Sequence, residues 1–259
     1  MIPKDSFYQI RIARSEQDLR AAQRLRYRVF VEELGGDGPM VDHVRAIERD
    51  EFDPLFDHLI LIDRRLDPRA LDYVVGVYRM QSGETGRGNQ RFYSASEYDL
   101  SCLHLDGRSL LELGRSCVHR DYRGGAALYH LWNGVADYVS ERDIKILFGV
   151  ASFHGTDIAA LAGPLSYLYH HHLAPRALRV RTRPDAFQRM DLMAKDQIDR
   201  LAAMKAIPAL IKAYLRFGGY VGDGAFVDYA FNTTDICLVL DTARINPRQR
   251  AIYIRDYAA

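Results

Sequence analysis

The chain has 259 residues, 48% apolar and 27% charged, which is the usage of a globular protein and excludes disorder, collagen and coiled coil. Its 35 Lys and Arg against 34 Asp and Glu leave a formal net charge of +1, without the basic excess of a nucleic-acid binder. Cys102, Cys117 and Cys237 are widely spaced, and neither a signal-peptide pattern nor an apolar run of about 18 residues is present, so a reducing cytoplasm and no spanning helix are expected.

Residues 8–13 alternate and predict a strand. Ser15, with Asp18 three residues on, makes a near capping box. The helix it opens carries the apolar stripe Leu19, Ala22, Leu25, Val29 and Phe30, and the glycines from Gly35 end it. Residues 41–54 read as a charged loop, 59–62 and 73–78 as strands around a turn near Asp67, and 83–89 as a loop. Leu110 starts another strand, and Arg123-Gly124-Gly125 leads into a helix over 126–140. Residues 144–151 predict a buried strand, and 157–172 a helix that Pro164 kinks. Helical spacing returns over 196–206, Pro208 suits the first position of a further helix ended by Gly218-Gly219, and 236–240 is a final strand. Intermingled strands and helices predict an α/β or α+β fold with a central sheet. Residues 1–259 are expected to form one domain, with 185–220 as a helical elaboration.

Two stretches carry chemistry. In 112–125 a strand runs through a glycine-containing turn into a helix N-terminus. This is either an anion site, where free N–H groups and the helix dipole meet a ligand, or an ordinary connection. It is neither a Walker A loop nor a dinucleotide fingerprint, since G-x-G-x-x-G is missing. The second stretch sets Arg24, Arg26 and Arg28 against Glu48-Arg49-Asp50-Glu51-Phe52-Asp53. Clustered carboxylates either bind an amine and take its proton or simply pair with the helix as a solvated loop. Cys117 reads as a buried structural thiol. Consecutive helical residues point about 100° apart, so His170, His171 and His172 cannot face one ion, and packing and surface roles are expected. Arg176, Arg179, Arg181 and Arg183 either dock an acidic partner or protect an edge strand. Lys205, Lys212 and Arg216 either lie on anionic lipid or flank a stripe packed on the core.

The element order resembles the GNAT acyltransferase fold. Arg26-x-x-x-Phe30, Glu48-x-Asp50-x-x-Asp53, Gly76-x-x-Arg79 and Glu112-x-x-Arg115 resemble motifs of the acyl-homoserine lactone synthases, although the Trp that usually follows the Phe is missing. A closer resemblance, over about residues 8–250, is to the ornithine lipid N-acyltransferases once labelled hemolysin-like. It is carried by 25–30, 50–53, 92–94, 111–118, 148–153, 170–172, 208–216 and 233–235.

The resemblance implies transfer of a 3-hydroxyacyl chain from acyl carrier protein to the α-amine of ornithine, giving lyso-ornithine lipid. Glutamine acylation and lactone synthesis are the alternatives, and a non-enzymatic hemolysin lacks its lytic helix. Glu48 and Asp50 are expected as bases or amine ligands, with Glu112 as the rival base. Arg26, Arg79 and Arg115 would pair with these acids or grip the substrate carboxylate, which a planar guanidinium fork suits. Phe30, Asp53, Ser152 and His154 complete the expected substrate side. Cys117, Val118, Arg123, Gly124 and Gly125 are expected at the acyl and pantetheine end. Arg123 stands where the usual GNAT loop has its first glycine, a poorer diphosphate cradle that favours a carrier-protein donor over free coenzyme A. No bound cofactor, metal or nucleic acid is implied; phosphopantetheine arrives on the carrier. A cytoplasmic protein, with peripheral contact at the inner membrane face, is the expected setting.

Overall fold

The computed structural model describes residues 7–83, 91–124 and 126–245. Gly125 and positions 84–89 of the expected loop lie outside them. In chain order the elements are β1 (Tyr8–Ile12), α1 (Glu16–Arg26), β2 (Asp57–Asp63), β3 (Val74–Gly83), β4 (Tyr98–Asp99), α2 (Ser101–Asp106), β5 (Leu110–Val118), α3 (Ala127–Glu141), β6 (Ile146–His154) and α4 (Ala162–His172). They continue with β7 (Arg181–Thr182), α5 (Arg200–Ala206), α6 (Ala209–Arg216), β8 (Tyr220–Asp228) and β9 (Thr233–Asp241).

Local chemistry sets several boundaries. The Ser15 hydroxyl accepts the Asp18 N–H at 3.1 Å and the Asp18 carboxylate accepts the Ser15 N–H at 3.2 Å, a complete capping box. The continuous α-helix expected through Phe30 is corrected: α1 ends at Arg26 and the chain goes on as a wider π-helix over Tyr27–Glu33, a form that recurs at functional sites. Pro164 does not kink α4. The helix begins at Ala162, so Pro164 falls in the first turn, where its missing N–H has no intrahelical acceptor to lose. Asp199 caps α5 by accepting the Leu201 and Ala202 N–H groups at 2.9 and 3.1 Å, which starts that helix later than Asp196. Pro208 is the N-cap of α6 and not its first residue.

The described residues fall into two compact units, 7–81 with 113–143 and 82–112 with 144–245. In the first, β1, β2 and β3 pair antiparallel in that order, and the later part of β5 follows β3. Strand alternation gives this sheet two faces. Ile60, Ile62, Val74 and Val77 pack under Ala21, Ala22, Leu25 and Val29. On the other face α3 crosses closely at Gly134, where an added Cβ would lie 2.7 Å from Ile10 and 3.0 Å from Leu59.

In the second unit Leu110–Glu112 of β5 runs parallel to β6, and the order continues β6-β9-β8-β7-β4, so the sheet is mixed. Its core holds Phe92, Tyr98, Leu103, Phe148, Val180 and Val239. The strand β8, which the sequence did not predict, breaks register between Val221 and Ala225. There Gly224 takes φ +88° and its missing Cβ leaves room for the Phe187 ring. The edge-strand reading of the arginine run is corrected: β7 lies between β4 and β8, and the two-residue β4 is the edge.

Candidate active site

Three arginines and three carboxylates from four segments of the first unit meet in one lattice. The end of α1 supplies Arg26, the loop before β2 supplies Glu48, Asp50 and Asp53, β3 supplies Arg79 and β5 supplies Arg115. Arg26 Nε donates to Glu48, and Arg26 Nη1 lies 2.7 Å from Asp53 Oδ1. Arg79 Nη1 reaches the same Asp53 oxygen at 2.8 Å and Asp50 Oδ1 at 2.5 Å. Arg115 closes the lattice, with Nη2 3.0 Å from Asp50 Oδ2 and Nε 3.3 Å from Glu48 Oε1. Arg115 stands at φ +48° in the middle of a strand, the left-handed region that a non-glycine residue seldom enters, and local backbone strain of this kind clusters at functional sites.

The six charges cancel, which is how so many can be buried together. Burial alone would raise the Glu48 carboxyl, but Arg26 and Arg115 outweigh it and hold the group below its usual range. Asp50 is shifted the same way: burial raises it and Arg79 and Arg115 reverse that. Asp53 is likewise held well under the ordinary carboxylate range, because Arg26 and Arg79 together more than offset its burial. All three are therefore anions at neutral pH. The side chains of Arg26, Arg79, Glu48 and Asp53 are at most 4% exposed, whereas Asp50 and Arg115 retain 18% and 14%. Those two form the rim of the lattice.

Two residues that sequence reasoning passed over are hydrogen-bonded to Asp53. Gln23 Nε2 donates to Asp53 Oδ2 at 2.8 Å, while the Gln23 carbonyl accepts the Glu48 N–H at 3.1 Å. His58 Nε2 donates to the Asp53 carbonyl at 3.0 Å. Neither residue carries a local signal, since the partners are brought together only by the fold. The Phe56 ring lies 4.6 Å from the Arg79 guanidinium carbon, a cation–π contact within the same cluster.

The other expected residues are distributed differently. Phe30, on the π-helix, packs partly buried against the core under α1. Arg24 and Arg28 both pair with Asp72, at 3.0 and 2.9 Å. Cys117 is buried in the same core, and burial pushes its thiol up to about 12. Arg123 Nη2 is paired with Glu33 at 2.7 Å and its Nε donates to the Val118 carbonyl at 3.0 Å, so its charge is already matched. Gly124 takes φ +76° just before α3.

In the second unit Glu112 is buried and accepts the N–H groups of Tyr93 and Ser94 at 2.8 and 2.6 Å and the Ser94 hydroxyl at 2.5 Å. Ser152 and His154 are exposed, two residues apart on one face of β6. His170 donates to the Met193 carbonyl at 2.9 Å, and His171 stacks on Tyr167. Arg176, Arg181 and Arg183 are exposed, while Arg179 turns back to the Ala174 carbonyl at 2.7 Å. Among the described residues no group of three or more His, Cys, Asp or Glu is arranged to hold a metal, and no helix is long and apolar enough to cross a membrane.

Residues 25–133 match the family described as acetyltransferase (GNAT) domain. Over 248 residues the chain is 59% identical to the L-ornithine N(alpha)-acyltransferase of Rhodobacter capsulatus, covering 96% of this chain and 95% of that protein. It is 41% identical over 253 residues to the protein of the same name from Brucella abortus, covering 97% and 89%. Among solved structures, FeeM, an N-acyl amino acid synthase from uncultured soil microbes, superimposes with a TM-score of 0.54 at 13% identity, covering 94% of this chain and 97% of FeeM. The acyl-homoserine lactone synthase BjaI follows with a TM-score of 0.53 at 16% identity, covering 95% and 87%. Both show a shared GNAT-like fold.

Proposed function

This chain belongs to the family of L-ornithine N(alpha)-acyltransferases, and we propose that it moves a 3-hydroxyacyl chain from the phosphopantetheine thiol of acyl carrier protein to the α-amine of L-ornithine. The product is an N-acylornithine, or lyso-ornithine lipid. The whole chain acts as one N-acyltransferase domain, with 185–220 as its helical elaboration.

The observation that carries this reading is the balanced lattice with a single accessible pair at its rim, Asp50 and Arg115, 3.0 Å apart. An α-amino acid presents an ammonium and a carboxylate at similar spacing. Its α-ammonium pairs with Asp50 and its α-carboxylate takes the planar fork of Arg115, so this zwitterionic end adds no net charge to the lattice, and the δ-ammonium of ornithine remains as one further positive charge. Glu48, Arg26, Arg79 and Asp53 then act as the frame behind the pair.

Proton chemistry separates the two expectations for the acids. An ordinary carboxylate titrates near 4 and an α-ammonium near 8, so equilibrium proton transfer between them costs about 5 kcal/mol, and more when the carboxyl is depressed. Asp50 and Glu48 therefore serve as amine ligands and frame, not as acceptors of the resting ammonium proton. That proton leaves to solvent. The neutral amine attacks the thioester carbon, the C–N bond forms, the C–S bond breaks, and the second amine proton leaves with the thiolate as free thiol. Glu112, by accepting from the Tyr93 and Ser94 N–H groups and the Ser94 hydroxyl, positions residues 93–94. Ser152 and His154 are offered as substrate contacts, and the backbone at Cys117 and Val118 as the oxyanion and pantetheine side.

The donor assignment is supported by Arg123, whose charge is matched by Glu33 and so adds little to a diphosphate cradle. The exposed Arg176, Arg181 and Arg183 suit docking of an acidic carrier. The setting that follows is the cytoplasm, where the carrier is found, with peripheral contact at the inner membrane face where the amphiphilic product leaves.

The test is product mass spectrometry with purified protein, 3-hydroxyacyl carrier protein and ornithine, glutamine or S-adenosylmethionine. N-acylornithine formation with ornithine-dependent thiol release is expected. Preference for glutamine, or a homoserine lactone from S-adenosylmethionine, overturns the substrate assignment, and equal efficiency with acyl-CoA overturns the carrier-protein assignment.

A further inference from the structure

His58 is a buried titratable residue for which the reaction scheme has no use. It lies on β2, opposite Arg79 of β3 in the antiparallel register, with 5% of its surface exposed. Its Nε2 lies 3.0 Å from the Asp53 carbonyl. A carbonyl only accepts, so Nε2 carries the hydrogen and Nδ1 of the neutral ring is a bare lone pair. That Nδ1 is buried and has no hydrogen-bond partner.

The surroundings favour the neutral ring. Burial lowers its basicity, and the nearby charges of Arg26 and Arg79 act in the same direction, opposed by the carbonyl bond and the charge of Asp53. A proton on Nδ1 would add a fourth positive charge to a lattice balanced at three against three. It would also place a donor where the protein offers no acceptor.

The contacts form one line. Asp53 opens the short 3-10 turn Asp53–Leu55, and its carbonyl is the atom that His58 holds. Its Oδ1 receives both Arg26 and Arg79, Arg79 reaches Asp50, and Asp50 meets Arg115. We propose that His58, as its Nε2–H tautomer, is a positioning residue that sets the Asp53 turn and, through Asp53 and Arg79, the Asp50–Arg115 pair that receives the amino acid. The proposal rests on the acyltransferase reading for its kinetic consequence and on geometry alone for its structural one.

The test compares His58→Leu, which removes the donor, with His58→Gln, whose amide can restore it. In steady-state assays with 3-hydroxyacyl carrier protein, His58→Leu should raise the KM for ornithine about tenfold, the scale of one buried hydrogen bond. The KM for the acyl donor and kcat should stay within about twofold, and His58→Gln should return the ornithine KM to within about threefold of the unsubstituted protein. A folded His58→Leu protein with unchanged ornithine KM overturns the proposal. So does a uniform loss across both substrates that His58→Gln fails to rescue, because that is packing alone.

Absence of any ornithine-dependent thiol release in the unsubstituted protein would instead sink the acyltransferase reading. His58 is then decided by NMR of the guanidinium groups. Slowly exchanging, rotationally hindered Arg79 signals should persist in His58→Gln and vanish in His58→Leu; unchanged signals in His58→Leu overturn the proposal. Ring nitrogen shifts of the unsubstituted protein near neutral pH should show a protonated Nε2 and a bare Nδ1, which covers the case in which His58→Leu does not fold. The opposite tautomer, or a charged ring, overturns it as well.

Discussion

Replacing Arg26 by Met removes the most enclosed charge of the lattice while keeping a long side chain. Arg26 is 0% exposed and is the bridge between Glu48 and Asp53. Without it the two carboxylates remain buried, Glu48 with Arg115 at 3.3 Å and Asp53 with Arg79 at 2.8 Å, and three anions face two cations. Breaking a buried pair in this way costs about 3–5 kcal/mol, because the penalty is the stranded charge and not merely the lost bond. For a chain of this length each kcal/mol moves the melting temperature by about 2–4 °C, so a fall of about 6–20 °C is expected.

The sign of the pH dependence follows from the acids. In the unsubstituted protein their folded pKa values lie below the unfolded ones, near 4, so their contribution is intact above about pH 4 and is lost as pH falls through the folded values. In Arg26→Met burial is no longer outweighed, the folded values rise, and the folded state takes up protons that the unfolded state does not. The deficit is therefore largest at neutral pH and closes on acidification toward about pH 5. Urea unfolding of both proteins at about pH 7.5 and about pH 5, followed by circular dichroism, reads it directly. A deficit below about 1 kcal/mol at neutral pH, or one of equal size at both pH values, refutes the reasoning. Adding Glu48→Leu to Arg26→Met should restore part of the loss, since it removes one stranded charge.

Three further outcomes are expected. Asp50→Asn should raise the KM for ornithine about tenfold or more while lowering the melting temperature by less than about 3 °C, because the side chain sits at the rim; unchanged ornithine kinetics would remove it from the amine site. Cys117→Ala should keep kcat within about threefold and cost about 1 kcal/mol of stability in urea, since a thiol pushed up to about 12 is not a nucleophile near neutral pH; a folded variant inactive in thiol release would point to an acyl-enzyme. Gly134→Ala should destabilise by about 1–3 kcal/mol through the clash of its Cβ with Ile10 and Leu59, and a melting temperature at or above that of the unsubstituted protein would show that β1 and β2 give way easily.

How much of this was legible depends on the range of the interactions. The capping box at Ser15, the paired strands β2 and β3 and the helix α3 are written in neighbouring residues, and local pattern found them. The π-helix over Tyr27–Glu33 was not visible, because its composition is that of an ordinary helix. Strand β8 was hidden because Gly222 and Gly224 interrupt its apolar alternation, and in the fold they lie at the register break between Val221 and Ala225. Six-residue α2 is too short to display a helical period. At the site, Arg26, Glu48, Asp50, Asp53, Arg79 and Arg115 were singled out by spacing that resembles known families, and the structure brings these six together. Gln23 and His58 escaped because each meets the acids across a distance in sequence that no motif spans. The pairing of Arg123 with Glu33, 90 residues away, escaped for the same reason.

The closed balance of the lattice has a consequence for how this chain can change. Each arginine touches two acids and each acid touches two arginines, so the six form a ring. Removing one member takes one of two partners from each of its two neighbours and leaves the ring with one surplus charge, and only a simultaneous change of an opposite partner restores neutrality. In a saturation scan of single substitutions these six positions should stand out as a block of intolerance, although three of them lie in a loop, where substitution is ordinarily accepted. Viable departures should first emerge as double substitutions that delete one arginine together with one adjoining acid.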